Sequence, residues 1–285
     1  MRGLTLLLIA LPLAGCGGGG SQHISLADAA TKSTGAQSVK LDMAMAMSTP
    51  QLPQPVTLTA TGAEDNTNHR VQMNIDMSSL VGSFGAPGGI KPADFKGQEI
   101  GDLANGRLVI YMNLPFLTKL IPHGKPWIKI DLNAYGKSLG VNFSQFTSLS
   151  ANPAQMVDWL RATSGSISKV GSETVDGVQT THYHGTIDLS KYPNLVPPAR
   201  RAEMRKAVNA LIKTANVRTF PMDAWVDSDN LVRKLHLKFN ETVKGQRIGL
   251  DMTLHFHDFG TPVSINLPPA DQTVDLAKLT GKSKP

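Results

Sequence analysis

Apolar and polar residues alternate along much of this chain, and the alternation predicts strands. Val39, Leu41, Met43, Met45 and Met47 alternate with Lys40, Asp42, Ala44, Ala46 and Ser48. Val56, Leu58 and Ala60 alternate with threonines, and Val71, Met73, Ile75 and Met77 alternate with Gln72, Asn74 and Asp76. A period of two places the apolar set on one face of a strand and the polar set on the other. Residues 64–68 (Glu-Asp-Asn-Thr-Asn) supply turn chemistry between the second and third runs, which makes them a hairpin. Strands follow at 108–112 and 127–132. In the second half, 167–174 and 178–189 are joined by Asp176-Gly177, a strong hairpin turn. Strands at 222–227, 231–239 and 248–259 come next, with turns at Asp229-Asn230 and Lys244-Gly245.

Helical patterns are fewer. Residues 25–38 read as a helix with Ser25 or Asp28 as cap, and 115–121 as one or two turns. Asn152 is a cap with Pro153 at the first helical position, opening a helix through Met156, Trp159 and Leu160. The strongest helix spans 197–217. Met204, Val208, Leu211, Ile212 and Ala215 form its apolar stripe, and Arg200, Arg201, Arg205, Lys206 and Lys213 lie largely off it. Between 80 and 104, Gly82, Gly85, Pro87, Gly88, Gly89 and Pro92 interrupt Leu80, Val81, Phe84, Ile90 and Phe95. This predicts a long apolar loop, of the kind that serves as a lid. Strands in meander order with a few helices give an α+β fold: a single strongly curved antiparallel sheet with helices packed on its concave face.

The first sixteen residues change the picture. Arg2 precedes an apolar run at 4–11 that is too short to span a bilayer and has the length of a signal-peptide core. The run closes on Leu13-Ala14-Gly15-Cys16, and Cys16 is the single cysteine in 285 residues. This resembles the lipobox of bacterial lipoproteins, in which the cysteine thiol receives a diacylglyceryl group and becomes the new N-terminus. Two acyl chains make a stable anchor where one does not. The expected organisation is a signal peptide at 1–15, the acylated cysteine and a glycine-rich tether at 16–24, a lipid-binding domain at 25–268 and a loose tail at 269–285. The expected location is the extracytoplasmic face of the cell membrane.

Composition adds little and excludes some classes. The chain is 41% hydrophobic and 18% charged, as in ordinary globular proteins. Its net charge of +6 suits a site near an anionic leaflet. With only 6% aromatic residues it lacks the basic-plus-aromatic strips of single-strand nucleic-acid binders, so no nucleic-acid partner is expected.

Three segments carry a family resemblance: 175–189 (VDGVQTTHYHGTIDL), 221–234 (PMDAWVDSDNLVRK) and 254–263 (LHFHDFGTPV). They resemble the LppX/LprAFG family of actinobacterial, mycobacterial-type lipoproteins, and the likeness extends over roughly residues 23–270. It implies a half-barrel sheet and helices enclosing an apolar cavity, and a carrier of lipids or acylated glycolipids in the cell envelope. It supplies no catalytic residues. Methionine suits such a wall, because a flexible thioether side chain adapts to varied acyl chains, although it also fills gaps in ordinary cores. By strand parity and helix stripe, the residues expected to line a cavity are Met43, Met45, Met73, Ile75, Met112, Ile130, Leu211, Met252 and Leu254. Arg200, Arg201 and Arg205 are expected at its mouth, where they would meet anionic headgroups.

Catalytic patterns are missing from the sequence. There is no G-x-S-x-G, P-loop, dinucleotide fingerprint or HExxH, and carboxylates are scattered across turns. His182/His184 and His255/His257 each share a strand face opposite the apolar residues, and are expected as surface histidines rather than metal ligands. The chain is therefore expected to be a monomeric non-enzyme that needs no cofactor or metal. The expected ligand is a lipid or acylated glycolipid, and an envelope transporter is a candidate partner. The alternative expectation is an interaction or sensor lipoprotein with a filled core that docks a protein partner.

Overall fold

The computed structural model describes residues 25–52, 54–84, 90–104, 107–120, 125–132, 134, 153–215, 217–243 and 246–279. Cys16, the tether, Asn152 and the Lys244-Gly245 turn lie outside the described residues. Twelve strands form one sheet: β1 (Ser38–Ser48), β2 (Val56–Asp65), β3 (Arg70–Asp76), β4 (Lys96–Asp102), β5 (Val109–Asn113), β6 (Trp127–Asp131), β7 (Thr163–Val175), β8 (Val178–Asp188), β9 (Thr219–Asp227), β10 (Val232–Val243), β11 (Gln246–His257) and β12 (Thr273–Asp275). Their order is β12-β6-β5-β4-β3-β2-β1-β11-β10-β9-β8-β7. Two meanders, β1–β6 and β7–β11, are therefore fused along the antiparallel β1–β11 ladder, where Met43 faces Leu254 and Met45 faces Met252. Only β12 runs parallel, against β6.

The α+β class and the antiparallel meander stand, but the sheet is open and not strongly curled into a half-barrel. Bulges are the usual source of strong curvature. Here register shifts fall only in the β9–β10 and β7–β8 ladders, and the described ladders from β11 through β6 pair without interruption.

The hairpin signals correspond to real turns. Asp176 and Gly177 both have positive φ, 48° and 81°, as a two-residue turn of right-handed strand twist requires. Asn230 follows the same logic at φ 61°. The segment expected as a loop at 80–104 is different. It holds helix α2 (Ser79–Phe84), a 3-10 turn at Pro92–Phe95, and then β4, which pairs with both β3 and β5. The sequence KGQEIGD hides this strand, because its glycines and polar residues have poor strand propensity. Close packing explains one of them: a Cβ at Gly97 would lie 2.0 Å from the Asn113 carbonyl oxygen of the neighbouring strand. The range 269–285, expected as a loose tail, contributes β12 and the short helix α5 (Leu276–Leu279). A further short helix is α3 (Pro115–Leu120).

The apolar face of β1 and β8–β11 is covered by helices. Helix α1 (Leu26–Thr34) buries Leu26, Ala29 and Ala30 against the 3-10 helix Pro153–Ala162, and this layer sits on the sheet with α4 (Arg201–Ala215). The helix expected at 197–217 begins as a 3-10 turn at Pro198–Arg200, and its α-helical part starts only at Arg201. Met204, Ala207 and Val208 face inward, while Arg201, Arg205, Lys206 and Lys213 are exposed. Leu41, Ile187, Leu235, Leu237, Leu254 and Phe256 are fully buried at the centre.

Two polar ties lock α1 and the β9–β10 turn. The Ser33 hydroxyl donates to the Ala29 carbonyl at 2.8 Å and accepts the Val232 N–H at 2.8 Å. The buried Asp227 carboxylate accepts the Leu231 N–H at 2.8 Å and the Arg233 Nε–H at 2.6 Å. On the opposite face the C-terminal segment crosses β3–β5. It buries Ile265 near Arg70, whose Nη1 donates to the Ile265 carbonyl at 2.9 Å.

Candidate functional site

Register carries one apolar face across the whole sheet. Leu41 lies beside Gly62, then Met73, Glu99, Met112 and Ile128, strand by strand. On the other side of β1, Met45 continues to Met252, Leu237 and Met222. Met43, Met45, Met73, Ile75, Met112, Ile130, Met252 and Leu254 all point to this face, as alternation requires. The side chain of Leu211 lies outside the described residues.

Burial divides these residues into two groups. Met252, Leu254 and Met73 are closed off at 4%, 0% and 5% exposure, packed into the core with Leu235 and Leu237. Met43, Met45 and Ile75 are half-buried and only rest against that core, with Leu58 beside them. Met112 and Ile130 are half-buried further out, and Met47 at the strand end is exposed. The closed end of the face lies under α1, α4 and the 3-10 helices. The half-open end runs over β1–β6 and is rich in methionine.

One polar side chain sits in the half-open part. Glu99 lies between Met73 and Met112 on the apolar face. Burial alone raises its carboxyl above the ordinary glutamate value, and no hydrogen-bond partner offsets it among the described residues. Sequence alternation could have found Glu99 only by recognising β4 as a strand.

Of the residues expected at a headgroup site, Arg201 and Arg205 are exposed on α4. The Arg200 side chain lies outside the described residues. Arg201 Nε donates to the Val196 carbonyl at 3.2 Å, and Arg205 Nη2 donates to Asn194 Oδ1 at 3.3 Å. Both lean back on the segment that precedes their own helix.

His182, His184, His236, His255 and His257 occupy the outer, polar face, each beside a carboxylate. His182 contacts Glu173 at 2.9 Å and Asp223 at 2.8 Å, and its ring stacks on Trp225 with centroids 4.2 Å apart. Trp225 Nε1 donates to Glu173 at 2.8 Å, and Lys234 Nζ lies 4.2 Å above the same indole. His184 shares Asp223 at 3.0 Å, and His236 meets Asp251 at 2.9 Å. Burial pushes the Asp223 carboxyl up, but hydrogen bonds and positive charge from His182 and His184 outweigh it and hold it below the ordinary range. No group of three or more His, Cys, Asp or Glu among the described residues has metal-site geometry. The network ties β7, β8, β9 and β10 together side by side.

Comparison with known proteins gives relatives in two Streptomyces species and structural neighbours among mycobacterial lipoproteins. No family model matches the chain. It is 33% identical over 163 residues to a 31.2 kDa protein of Streptomyces griseus, covering 55% of this chain and 50% of that protein. It is 28% identical over 160 residues to a candidate lipoprotein of Streptomyces coelicolor, covering 55% of this chain and 44% of that protein. The chain thus spans about half the length of the curated relatives it matches. Among solved structures, the lipoprotein LppX of Mycobacterium tuberculosis aligns over 85% of this chain and 96% of its own, at 13% identity and a TM-score of 0.43. LprF of Mycobacterium bovis aligns over 85% and 94%, at 14% identity and a TM-score of 0.41. The chain is similar to the LppX and LprF lipoproteins, the same group its sequence segments resemble.

Proposed function

We propose that this chain is a membrane-anchored lipoprotein of the cell envelope that binds the acyl chains of a lipid or acylated glycolipid along the half-open apolar face of its sheet. The observation that carries the proposal is the burial gradient. Met43, Met45, Ile75, Met112 and Ile130 extend the core face beyond the helices without being closed off. Such a strip gains free energy by covering hydrocarbon, at about 0.8 kcal/mol for each buried CH2. Methionine lets it accept chains of different shape. The acyl chains lie in a groove along this strip, which replaces the strongly curved half-barrel of the sequence expectation. Glu99, the polar side chain between Met73 and Met112 on this strip, meets the polar end of the ligand. Acylation at Cys16 keeps the domain at the extracytoplasmic membrane surface, where its ligand resides, and the chain has no catalytic role there.

The test is native mass spectrometry of the purified full chain, with displacement of a fluorescent acyl probe. Co-purifying lipid and saturable probe binding that rises with chain length support the proposal. A homogeneous mass without lipid, and no probe binding, overturn it. A second reading, docking of a protein partner such as an envelope transporter, is favoured by edge strand β7. Ile167 and Val170 are 40% and 57% exposed there, beside unpaired backbone that could accept another strand. Ile167→Lys with Val170→Lys would abolish docking and leave probe binding unchanged.

A further inference from the structure

A concavity lies on the face opposite the methionine strip, at the β5–β6–β12 edge. It has a volume of about 360 Å³ and opens to solvent on one side. Register builds its floor: Tyr111 on β5 lies beside Lys129 on β6, and Lys129 lies beside Asp275 on β12. Lys125 and Lys278 flank this row, and Pro268 and Ala270 form a wall. None of the described residues on the methionine strip lines it.

The charges are unbalanced. Three ammonium groups face one carboxylate, a surplus of two positive charges (3 − 1). The carboxylate is already engaged. Asp275 Oδ1 accepts the Ala277 N–H at 2.9 Å, and Oδ2 lies 3.8 Å from Lys129 Nζ, too far for a good hydrogen bond. Lys125 donates to the Thr273 carbonyl at 3.2 Å, which leaves two of its three protons without a partner in that bond. Lys278 is exposed and makes no ion pair among the described residues. Burial, then Asp102 and Asp275, raise the Tyr111 phenol above its ordinary value, so its hydroxyl stays a donor at neutral pH. The walls thus present donors and positive charge, in a pocket within the usual size range for small ligands.

We propose that this pocket binds an organic phosphate, with Lys125, Lys129 and Lys278 around the phosphoryl oxygens, Tyr111 donating to one of them, and the organic part against Pro268 and Ala270. The site is independent of the acyl-binding strip, which is on the other face of the sheet. It also has a structural consequence. Strand β12 pairs with β6 over only three residues, so a phosphate bridging Lys129 and Lys278 clamps the C-terminal segment onto the sheet edge.

The test is calorimetric titration of the full chain, produced without acylation, with glycerol 3-phosphate, glycerol and inorganic phosphate at about physiological ionic strength. Hydrogen exchange over residues 270–279 is read in parallel. The expected result is saturable binding of glycerol 3-phosphate, weaker binding of inorganic phosphate and none of glycerol, with slower exchange at 270–279 on binding. Lys129→Gln with Lys278→Gln should weaken binding more than tenfold and Tyr111→Phe several-fold. Each should leave the acyl probe and the far-ultraviolet dichroism unchanged. Vesicles distinguish the source of the phosphate. If phosphatidylglycerol vesicles bind wild type better than the double variant, and glycerol 3-phosphate competes, the ligand is a lipid headgroup. If glycerol 3-phosphate binds but vesicle binding ignores both lysines, it is a soluble phosphate. Absence of saturable glycerol 3-phosphate binding, or equal binding by the double variant, overturns the proposal.

Discussion

Met45 and Met252 are directly opposed across the β1–β11 ladder, on the same face of the sheet, yet they should respond differently to truncation. Met252 is 4% exposed and packed in the core, so Met252→Ala both loses transfer free energy and leaves a cavity. Buried changes of this type cost about 2–5 kcal/mol. Met45 is half-buried at the margin of that core, and its side chain borders the strip proposed to hold acyl chains. Full burial of a methionine side chain contributes about 1.5–3 kcal/mol, so a half-buried one with no enclosed void contributes roughly 1 kcal/mol. In a chain of this size, 1 kcal/mol shifts Tm by about 2–4 °C. Met45→Ala should therefore lower Tm by a few degrees, and Met252→Ala by two to five times as much. Ligand binding should show the reverse order. Removing the Met45 thioether strips roughly 1–1.5 kcal/mol of contact from an acyl chain, about a tenfold loss of affinity. The assays are thermal unfolding, followed by tryptophan fluorescence, and displacement of the fluorescent acyl probe. If Met45→Ala destabilises as much as Met252→Ala and leaves probe affinity unchanged, Met45 is plain core and the reasoning fails.

Asp227→Ala should cost about 3–5 kcal/mol in urea unfolding, because it strands Arg233 and the Leu231 N–H in a part-buried turn. Asp227→Asn keeps an acceptor for Leu231 and should cost less; equal losses would refute this division. Glu99 has a folded-state carboxyl value above the ordinary one, so the folded chain holds its proton to higher pH than the unfolded chain does. Its contribution to stability is therefore lost as pH rises from the ordinary glutamate value through the raised one. Glu99→Gln should flatten that decline, as urea midpoints between pH 4 and 8 would read. Asp76 runs the other way. A hydrogen bond from Lys96 at 2.8 Å, then Ser78, holds it down to about 2, so its stabilisation is present above the ordinary aspartate value of 3.8 and is lost as pH falls toward 2. Lys96→Met should remove most of that acid-side loss, though the effect is small because the pair is solvent-screened.

Strands with clean alternation were legible because burial on one face leaves a period of two in the sequence. Asp176-Gly177 fixed one hairpin because few residue pairs accept positive φ at both positions. What the sequence hid has physical causes as well. β4 has glycine where neighbouring backbone approaches closely and glutamate where alternation calls for an apolar side chain, so it has the composition of a loop. β12 owes its place to pairing with β6, a contact between residues about 145 positions apart, which no local pattern encodes. The histidines were correctly placed on the polar face. Their carboxylate partners Asp223, Asp251 and Glu173 lie on other strands and emerge only from register.

Parity assigns a residue to a face but cannot say how far along that face the helices reach. Leu254 and Met43 are neighbours across one ladder and indistinguishable by alternation, yet one is sealed and the other is half-open. The boundary between core and candidate site is set by where α1, α4 and the 3-10 helix Pro153–Ala162 sit, and these cover β1 and β8–β11. The outer face is partitioned differently. Over β7–β10 its polar groups contact one another in histidine–carboxylate pairs, while at the β5–β6–β12 edge three lysines outnumber one aspartate. Saturated pairs hold strands together, and unsaturated donors are what a ligand can use. The same sheet thus offers an apolar strip on one face and a cationic pocket on the other, arising from incomplete coverage in one case and incomplete charge pairing in the other.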